Sequence, residues 1–195
     1  MLGIAMSRDW VSRVAQNVFS RSVEQKSLRK ALKEWKDTAE IIDFSENDDN
    51  EKVEEYPNCE LCNHPHIRTG YVIRNIYTGH TLTIGCECIK KFQPEFDEST
   101  AHQKHVIYCL EQLMAKQSRV NVLGLINYYN EEKAFTPNQL VMVIKLLKQY
   151  GIPYTASCFK MKIRRDREKI QFKNLTDSKI ILIKNCLSPL QRKKL

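Results

Sequence analysis

Four cysteines near the middle of the chain have the spacing of ligands in a structural metal site. Two residues separate Cys59 from Cys62, and Cys86 and Cys88 follow after twenty-three more. A tight turn with the first spacing presents two thiolates to one tetrahedral ion, and a second pair completes a four-thiolate shell. The spacing therefore predicts a structural Zn²⁺ site formed by Cys59, Cys62, Cys86 and Cys88.

The second pair is unusual because only one residue separates its two cysteines. Residues i and i+2 point in different directions on a regular helix. Cys86 therefore has to end a strand, and Cys88 has to lie in the first helical turn, if both are to face one ion. An alternative ligand set replaces Cys86 with His64 or His66, which gives three thiolates and one imidazole.

The residues between the two pairs are typical of a β-hairpin. Residues 71–76 and 81–84 are rich in β-branched side chains, and Gly79 lies in the loop between them. Residues 89–92 then predict a short helix. A knuckle, a hairpin and a helix that begins at the ligands together predict a treble-clef-like zinc module at residues 56–96.

This part of the sequence resembles a group of small uncharacterised treble-clef zinc proteins of bacteria and their phages. The resemblance rests on the segments ALKEW (31–35), CELCNHPHIR (59–68) and GCECIKKF (85–92), and it covers residues 28–93. It implies a zinc protein of the bacterial cytoplasm or of a phage-infected host, without a known activity. Serine often occupies the position of Cys86 in that group, so the resemblance favours a histidine as the fourth ligand.

The N-terminal part of the chain predicts helices and a linker. Apolar residues recur at helical spacing over residues 8–20 and again over residues 22–42. We therefore expect amphipathic helices in residues 1–44. Residues 45–55 are rich in acidic side chains and predict an acidic linker.

Residues 97–195 predict a basic helical region. Thr136, Thr176 and Ser188 each precede a helical pattern and are expected to be N-cap residues. The expected fold class is therefore α+β and mainly helical, with the zinc module inserted between the N-terminal helices and this C-terminal region.

His102, His105 and Cys109 share one face of the helix that is predicted from residue 99 onward. Ligands on a single helix two turns apart rarely complete a metal site without residues from elsewhere. We interpret them as surface histidines beside a core cysteine.

Basic residues are concentrated near the C-terminus of a chain whose formal net charge is +8. Positions 160–195 contain twelve Lys or Arg residues but only three Asp or Glu residues. Apolar and basic residues alternate over positions 159–164, which predicts a half-buried edge strand with a basic outer face. The candidate phosphate-contacting residues are Lys160, Lys162, Arg164, Arg165, Arg167 and Lys169.

These features predict a non-catalytic nucleic-acid-binding protein, in which zinc holds a small module and a basic surface contacts DNA or RNA without sequence preference. The alternative is a phage or bacterial regulatory or anti-defence protein that binds an acidic host protein. The sequence contains no nucleophile–base pattern and no glycine-rich phosphate loop, so we expect no enzymatic activity. It has no long apolar run and no secretory signal, which predicts a cytoplasmic protein without a membrane segment.

Overall fold

A computed structural model describes residues 8–44, 56–93, 96–116 and 119–193. In these ranges the chain is mainly helical and contains one three-stranded antiparallel sheet, which confirms the α+β class expected from the sequence. The chain divides into two compact units, Met1–Asp97 and Glu98–Leu195. Among the described residues, no helix is both long enough and apolar enough to cross a lipid bilayer.

The first unit combines the sheet with short helices. Its elements are α1 (Arg8–Phe19), α2 (Leu28–Lys33), β1 (Trp35–Asp43), β2 (Thr69–Asn75), β3 (Thr81–Ile84) and α3 (Cys86–Phe92). The sheet order is β1-β2-β3, and both pairs are antiparallel. The predicted hairpin is present as β2 and β3, and Gly79 in its loop has a φ of 76°, which glycine adopts without a steric cost.

The prediction of a single helix over residues 22–42 is wrong. Only α2 is helical there, and Trp35–Asp43 forms the edge strand β1. Its register with β2 is interrupted between Asp37 and Ile41, where Ala39 has a φ of 64°. Apolar residues at i+3 and i+4 suggested a helix, but pairing with β2 satisfies the backbone of this segment and buries the Trp35 ring.

All the elements of the first unit contribute buried side chains. Fully buried side chains come from α1, from all three strands and from α3: Val14, Val18, Trp35, Ile73, Leu82, Ile84 and Ile89. The candidate metal ligands therefore belong to a unit that also contains the N-terminal helix.

The second unit is helical. Its elements are α4 (Glu98–Ala115), α5 (Val122–Glu132), α6 (Pro137–Gln149), α7 (Asp166–Lys173), α8 (Asp177–Ile183) and α9 (Pro189–Arg192), with 3-10 turns at Ala156–Cys158 and Lys184–Cys186. Its core contains the fully buried side chains of Val106, Leu110, Leu113, Phe135, Leu140, Val143, Ile144 and Leu147.

Local capping explains where several of these helices begin. Thr136 and Gln139 form a capping box at the start of α6, and Ser188 and Gln191 form another at the start of α9. Thr176 occupies the N-cap position of α8, but its side chain forms no capping hydrogen bond.

The edge strand expected near residues 159–164 is reduced to a single bridge. Phe135 pairs with Met161 in parallel orientation, and the Phe135 amide donates to the Lys160 carbonyl at 2.8 Å. Phe159 and Met161 are buried, as the alternation predicted, but Lys162 between Met161 and Ile163 is also buried. The expected basic outer face is therefore incomplete, since one of its members lies inside.

Candidate metal centre

A tight backbone turn positions the first two cysteines. The Asn63 amide donates to the Cys59 carbonyl at 2.8 Å, and the Cys59 amide donates to the His64 carbonyl at 2.8 Å. Asn63 has a left-handed φ of 58°, a conformation that asparagine tolerates better than most residues. The turn therefore holds Cys59 and Cys62 in one compact knuckle.

Two neighbouring elements hold this knuckle in place. The Asn17 side chain on α1 donates to the Leu61 carbonyl and to Asn63 Oδ1, both at 3.1 Å. The Glu60 amide donates to the Thr83 carbonyl on β3 at 3.0 Å. No sequence signal pointed to Asn17, because its partners are more than forty positions away along the chain.

The structure brings together three of the four predicted cysteines. The sulfur atoms of Cys59, Cys62 and Cys88 all lie within 4.8 Å of one another, and all three residues are buried. Zinc–sulfur bonds of about 2.3 Å place the corners of a tetrahedron about 3.8 Å apart. Three thiols in this arrangement fit a single metal ion.

Hydrogen bonding within the group favours loss of a proton from Cys59. The Cys88 thiol and the Gly85 amide, which lies 3.4 Å from Cys59 Sγ, lower the pKa of Cys59 below its ordinary value of 9.0. The pKa of Cys88 is raised, because its thiol proton is held by Cys59 and because the residue is buried. Thiolates are the form that binds metal, so binding would release the remaining protons of the group.

Cys86 lies outside this group. The sequence argument required it to end a strand, but β3 ends at Ile84 and Cys86 is the first residue of α3. Residues i and i+2 on a helix are about 200° apart around its axis, so Cys86 and Cys88 point to different sides. The half-exposed Cys86 thiol instead lies 3.9 Å from Glu87 Oε1.

The two alternative ligands are also outside the three-cysteine group. The side chains of His64 and His66 are both exposed. His64 nevertheless belongs to the knuckle, because its carbonyl accepts the Cys59 amide.

One predicted phosphate contact has a different role in the structure. Lys162 is 8% exposed, and its Nζ lies 2.7 Å from Glu132 Oε2 and 3.7 Å from Glu168 Oε1. The same ammonium group lies over the Tyr128 ring, 4.8 Å from its centroid. The assignment of Lys162 to a phosphate-contacting surface is therefore wrong, because a buried lysine needs carboxylate partners within the protein.

The other five candidate residues are exposed: Lys160, Arg164, Arg165, Arg167 and Lys169. Arg165 lies 3.6 Å from a Glu132 carboxylate oxygen, and Lys169 lies 2.8 Å from Asp166. In the described part of the chain, the side chains of the remaining three form no salt bridge.

The interpretation of His105 as a surface residue is wrong. His105 is 1% exposed, and its Nε2 lies 3.5 Å from Cys109 Sγ in the second unit. Cys109 is buried, as expected. The described residues bring no third ligand to this pair within metal-binding distance.

Comparisons of this chain with protein-family models, with curated proteins and with solved structures found no match.

Proposed function

We propose that this protein is a zinc-stabilised, non-catalytic nucleic-acid-binding protein that contacts the phosphates of DNA or RNA without reading their sequence. The observation that carries the proposal is a group of exposed cations without carboxylate partners among the described residues. They are Lys160, Arg164 and Arg167, within eight positions of one another along the chain. Phosphates would supply the negative charge that the fold does not provide at these positions.

Zinc is the metal that best suits the three buried cysteines. Soft thiolate ligands select zinc over the hard cations that prefer oxygen. The order of knuckle, hairpin and helix N-terminus supports a treble-clef-like arrangement for the segment that contains Cys59, Cys62 and Cys88. In this proposal the ion is structural: it links the knuckle to α3 and takes part in no reaction.

We further propose His64 as the fourth ligand. His64 is part of the knuckle itself, whereas the start of α3 directs Cys86 away from Cys88. Three thiolates and one imidazole form a common structural zinc set.

The salt dependence of oligonucleotide binding tests the functional proposal. The test variant changes Lys160, Arg164 and Arg167 to glutamate, and binding of fluorescein-labelled single strands is measured by anisotropy at increasing salt. Each phosphate contact contributes about 0.7 to the slope of log affinity against log salt for a single strand, so losing three contacts should flatten it by about 2. All sequences should weaken alike.

A matched control carries the same charge change elsewhere in the second unit. Lys104, Lys145 and Lys179 are exposed on α4, α6 and α8. Their replacement by glutamate should leave most of the slope in place. Equal slopes for the two triple variants would exclude residues 160–167 as the contact surface. If the unaltered protein does not bind oligonucleotides at low salt, the proposal is wrong, and the same cations become candidates for docking an acidic host protein.

A further inference from the structure

A groove in the first unit combines basic, polar and aromatic residues beside the β2–β3 loop. It has a volume of about 420 Å³ and is lined by Lys36, Asp37, Thr38, Arg74 and residues 75–79. None of these residues is near the C-terminal cations in sequence, and all belong to the other unit.

Two cations face each other across the strands at this groove. Lys36 on β1 pairs directly with Arg74 on β2, and both side chains are exposed. Like charges in directly opposed positions destabilise a sheet. Within the described ranges neither side chain forms a salt bridge, and the one nearby carboxylate in the groove, Asp37, uses Oδ1 to accept the Ala39 amide at 3.0 Å. The arrangement therefore favours an anion between the two cations.

The loop at the other side of the groove presents an aromatic ring to solvent. Tyr77 is 70% exposed, and its neighbour Ile76 is 54% exposed. Ile76 and Tyr77 therefore give the groove an exposed apolar edge beside the two cations.

This loop is held rigidly by polar contacts beneath it. The Tyr77 and Thr78 amides both donate to Asn75 Oδ1 at 2.9 Å, and the Asn75 side chain donates to Glu34 at 2.8 Å. Thr78 Oγ1 also donates to the Arg21 carbonyl at 2.8 Å. The exposed ring is therefore already positioned, so a ligand would not have to order the loop on binding.

We propose that this groove binds single-stranded nucleic acid, with a phosphate between Lys36 and Arg74 and a base stacked on Tyr77. A cationic track beside an aromatic platform matches the two features that single strands offer, a charged backbone and exposed base faces. An acidic peptide would satisfy the two cations but has no equivalent need for a fixed aromatic ring. The site goes beyond the proposed function, because it uses different residues in the other unit.

Short oligonucleotides test this groove. The probes are fluorescein-labelled ten-residue oligothymidylate and oligouridylate at low salt, together with a version that carries 2-aminopurine, whose fluorescence falls when it stacks. Tyr77→Ala should weaken binding at least about fivefold and remove the quenching, whereas Tyr77→Phe should keep both. The double variant Lys36→Gln with Arg74→Gln removes the contacts to one phosphate and should flatten the salt slope by about 0.7.

A double variant of Lys26→Gln with Arg29→Gln provides the charge control, because both residues are exposed in the first unit and lie outside the groove. The salt slope of this control should differ less from that of the unaltered protein than the slope of the Lys36/Arg74 double variant does. Thermal unfolding of each variant verifies that the exposed substitutions leave the fold intact.

The outcomes separate this inference from the proposed function. If Tyr77→Ala leaves affinity and quenching unchanged while the C-terminal triple variant loses binding, the groove proposal is wrong and the proposed function stands. If Tyr77→Ala weakens oligonucleotide binding and the C-terminal triple variant does not, the result supports the groove site and contradicts phosphate binding by the C-terminal cations. If a labelled oligoglutamate peptide binds in a Tyr77-dependent way and oligonucleotides do not, the groove is a peptide site and the inference is overturned.

Discussion

The sulfur atoms of Cys62 and Cys88 lie 3.2 Å apart, although the two residues are 26 positions apart in the sequence. One belongs to the knuckle and the other to the first turn of α3. Two buried thiols at this separation are close enough to bind one metal ion, which would replace their protons. A metal ion here would fasten the knuckle to the helix that follows the hairpin.

We expect the protein to carry about one zinc ion per chain when it is purified under reducing conditions without chelator. Cys59→Ser, Cys62→Ser and Cys88→Ser should each lose the metal, because each removes one of three clustered thiols. At a free zinc concentration of about 100 times Kd, binding stabilises the folded state by about 2.7 kcal/mol, and the variants should lose this. Metal analysis and thermal unfolding measure both effects.

Cys186→Ser is the matched control, since this half-buried thiol lies in the second unit. It should keep the full metal content. A metal-free preparation of the unaltered protein that unfolds at the same temperature with and without added zinc would contradict the metal centre.

The identity of the fourth ligand has its own prediction. Cys86→Ser should keep the metal and the thiolate-to-cobalt charge-transfer intensity of the Co²⁺-substituted protein, because Cys86 is outside the group. His64→Ala should weaken metal affinity at least about tenfold, whereas His66→Ala should not. Loss of charge-transfer intensity in Cys86→Ser would instead assign the fourth position to Cys86.

Glu34 should be important for the stability of the first unit. Its buried carboxylate accepts the Val23 amide at 2.9 Å and the Glu24 amide and the Asn75 side chain at 2.8 Å. Glu34→Gln would place an amide donor against these donors, so we expect it to lower the free energy of unfolding by about 2 kcal/mol. Glu40→Gln, on the β1 strand that follows Glu34, should change it by less than about 0.5 kcal/mol. Urea denaturation followed by tryptophan fluorescence compares the two.

The effect of Glu34 should also depend on pH. Burial acts to raise its pKa, but hydrogen bonds from Asn75 and from the two backbone amides outweigh it, and the pKa lies below the ordinary value of 4.5. The stabilisation is therefore complete above pH 4.5 and is lost as the pH falls through the folded-state pKa. The stability difference between the unaltered protein and Glu34→Gln should shrink in acid, and a constant difference would contradict this. Comparing the two proteins cancels acid effects on the cysteines.

Lys162 should matter for folding and not for phosphate contact. Burial acts to lower its pKa, but hydrogen bonding to Glu132 and Tyr128 more than compensates, so the pKa is raised and the side chain stays charged. Lys162→Ala leaves the buried Glu168 without its cation, so we expect the free energy of unfolding to fall by about 2 to 3 kcal/mol. The loss is not larger because the other carboxylate partner, Glu132, is partly solvated. Replacement of Lys160, an exposed lysine two positions earlier in the chain, with alanine should cost less than about 0.5 kcal/mol. Urea denaturation of both variants checks the contrast, and equal stabilities would contradict it.

Several features could be predicted from the sequence because they depend on residues close together in the chain. The hairpin follows from two β-branched segments around a glycine-containing loop, and the start of α6 follows from Thr136 and Gln139. The spacing of Cys59 and Cys62 likewise indicated a knuckle. In each case a few neighbouring residues determine the local backbone.

The tertiary structure decided the features that depend on distant partners. Trp35–Asp43 is a strand because β2 offers it a hydrogen-bonding edge, although its apolar spacing is also compatible with a helix. Lys162 is buried because Glu132 and Glu168 lie close to its ammonium group. Cys86 lies outside the three-cysteine group because only Gly85 separates the end of β3 from the start of α3, so that Cys86 is already helical. The groove formed by Lys36, Arg74 and Tyr77 exists only after the strands pair. Local sequence can specify a turn or a cap, but burial, ion pairing and the convergence of side chains depend on contacts between segments that lie far apart along the chain.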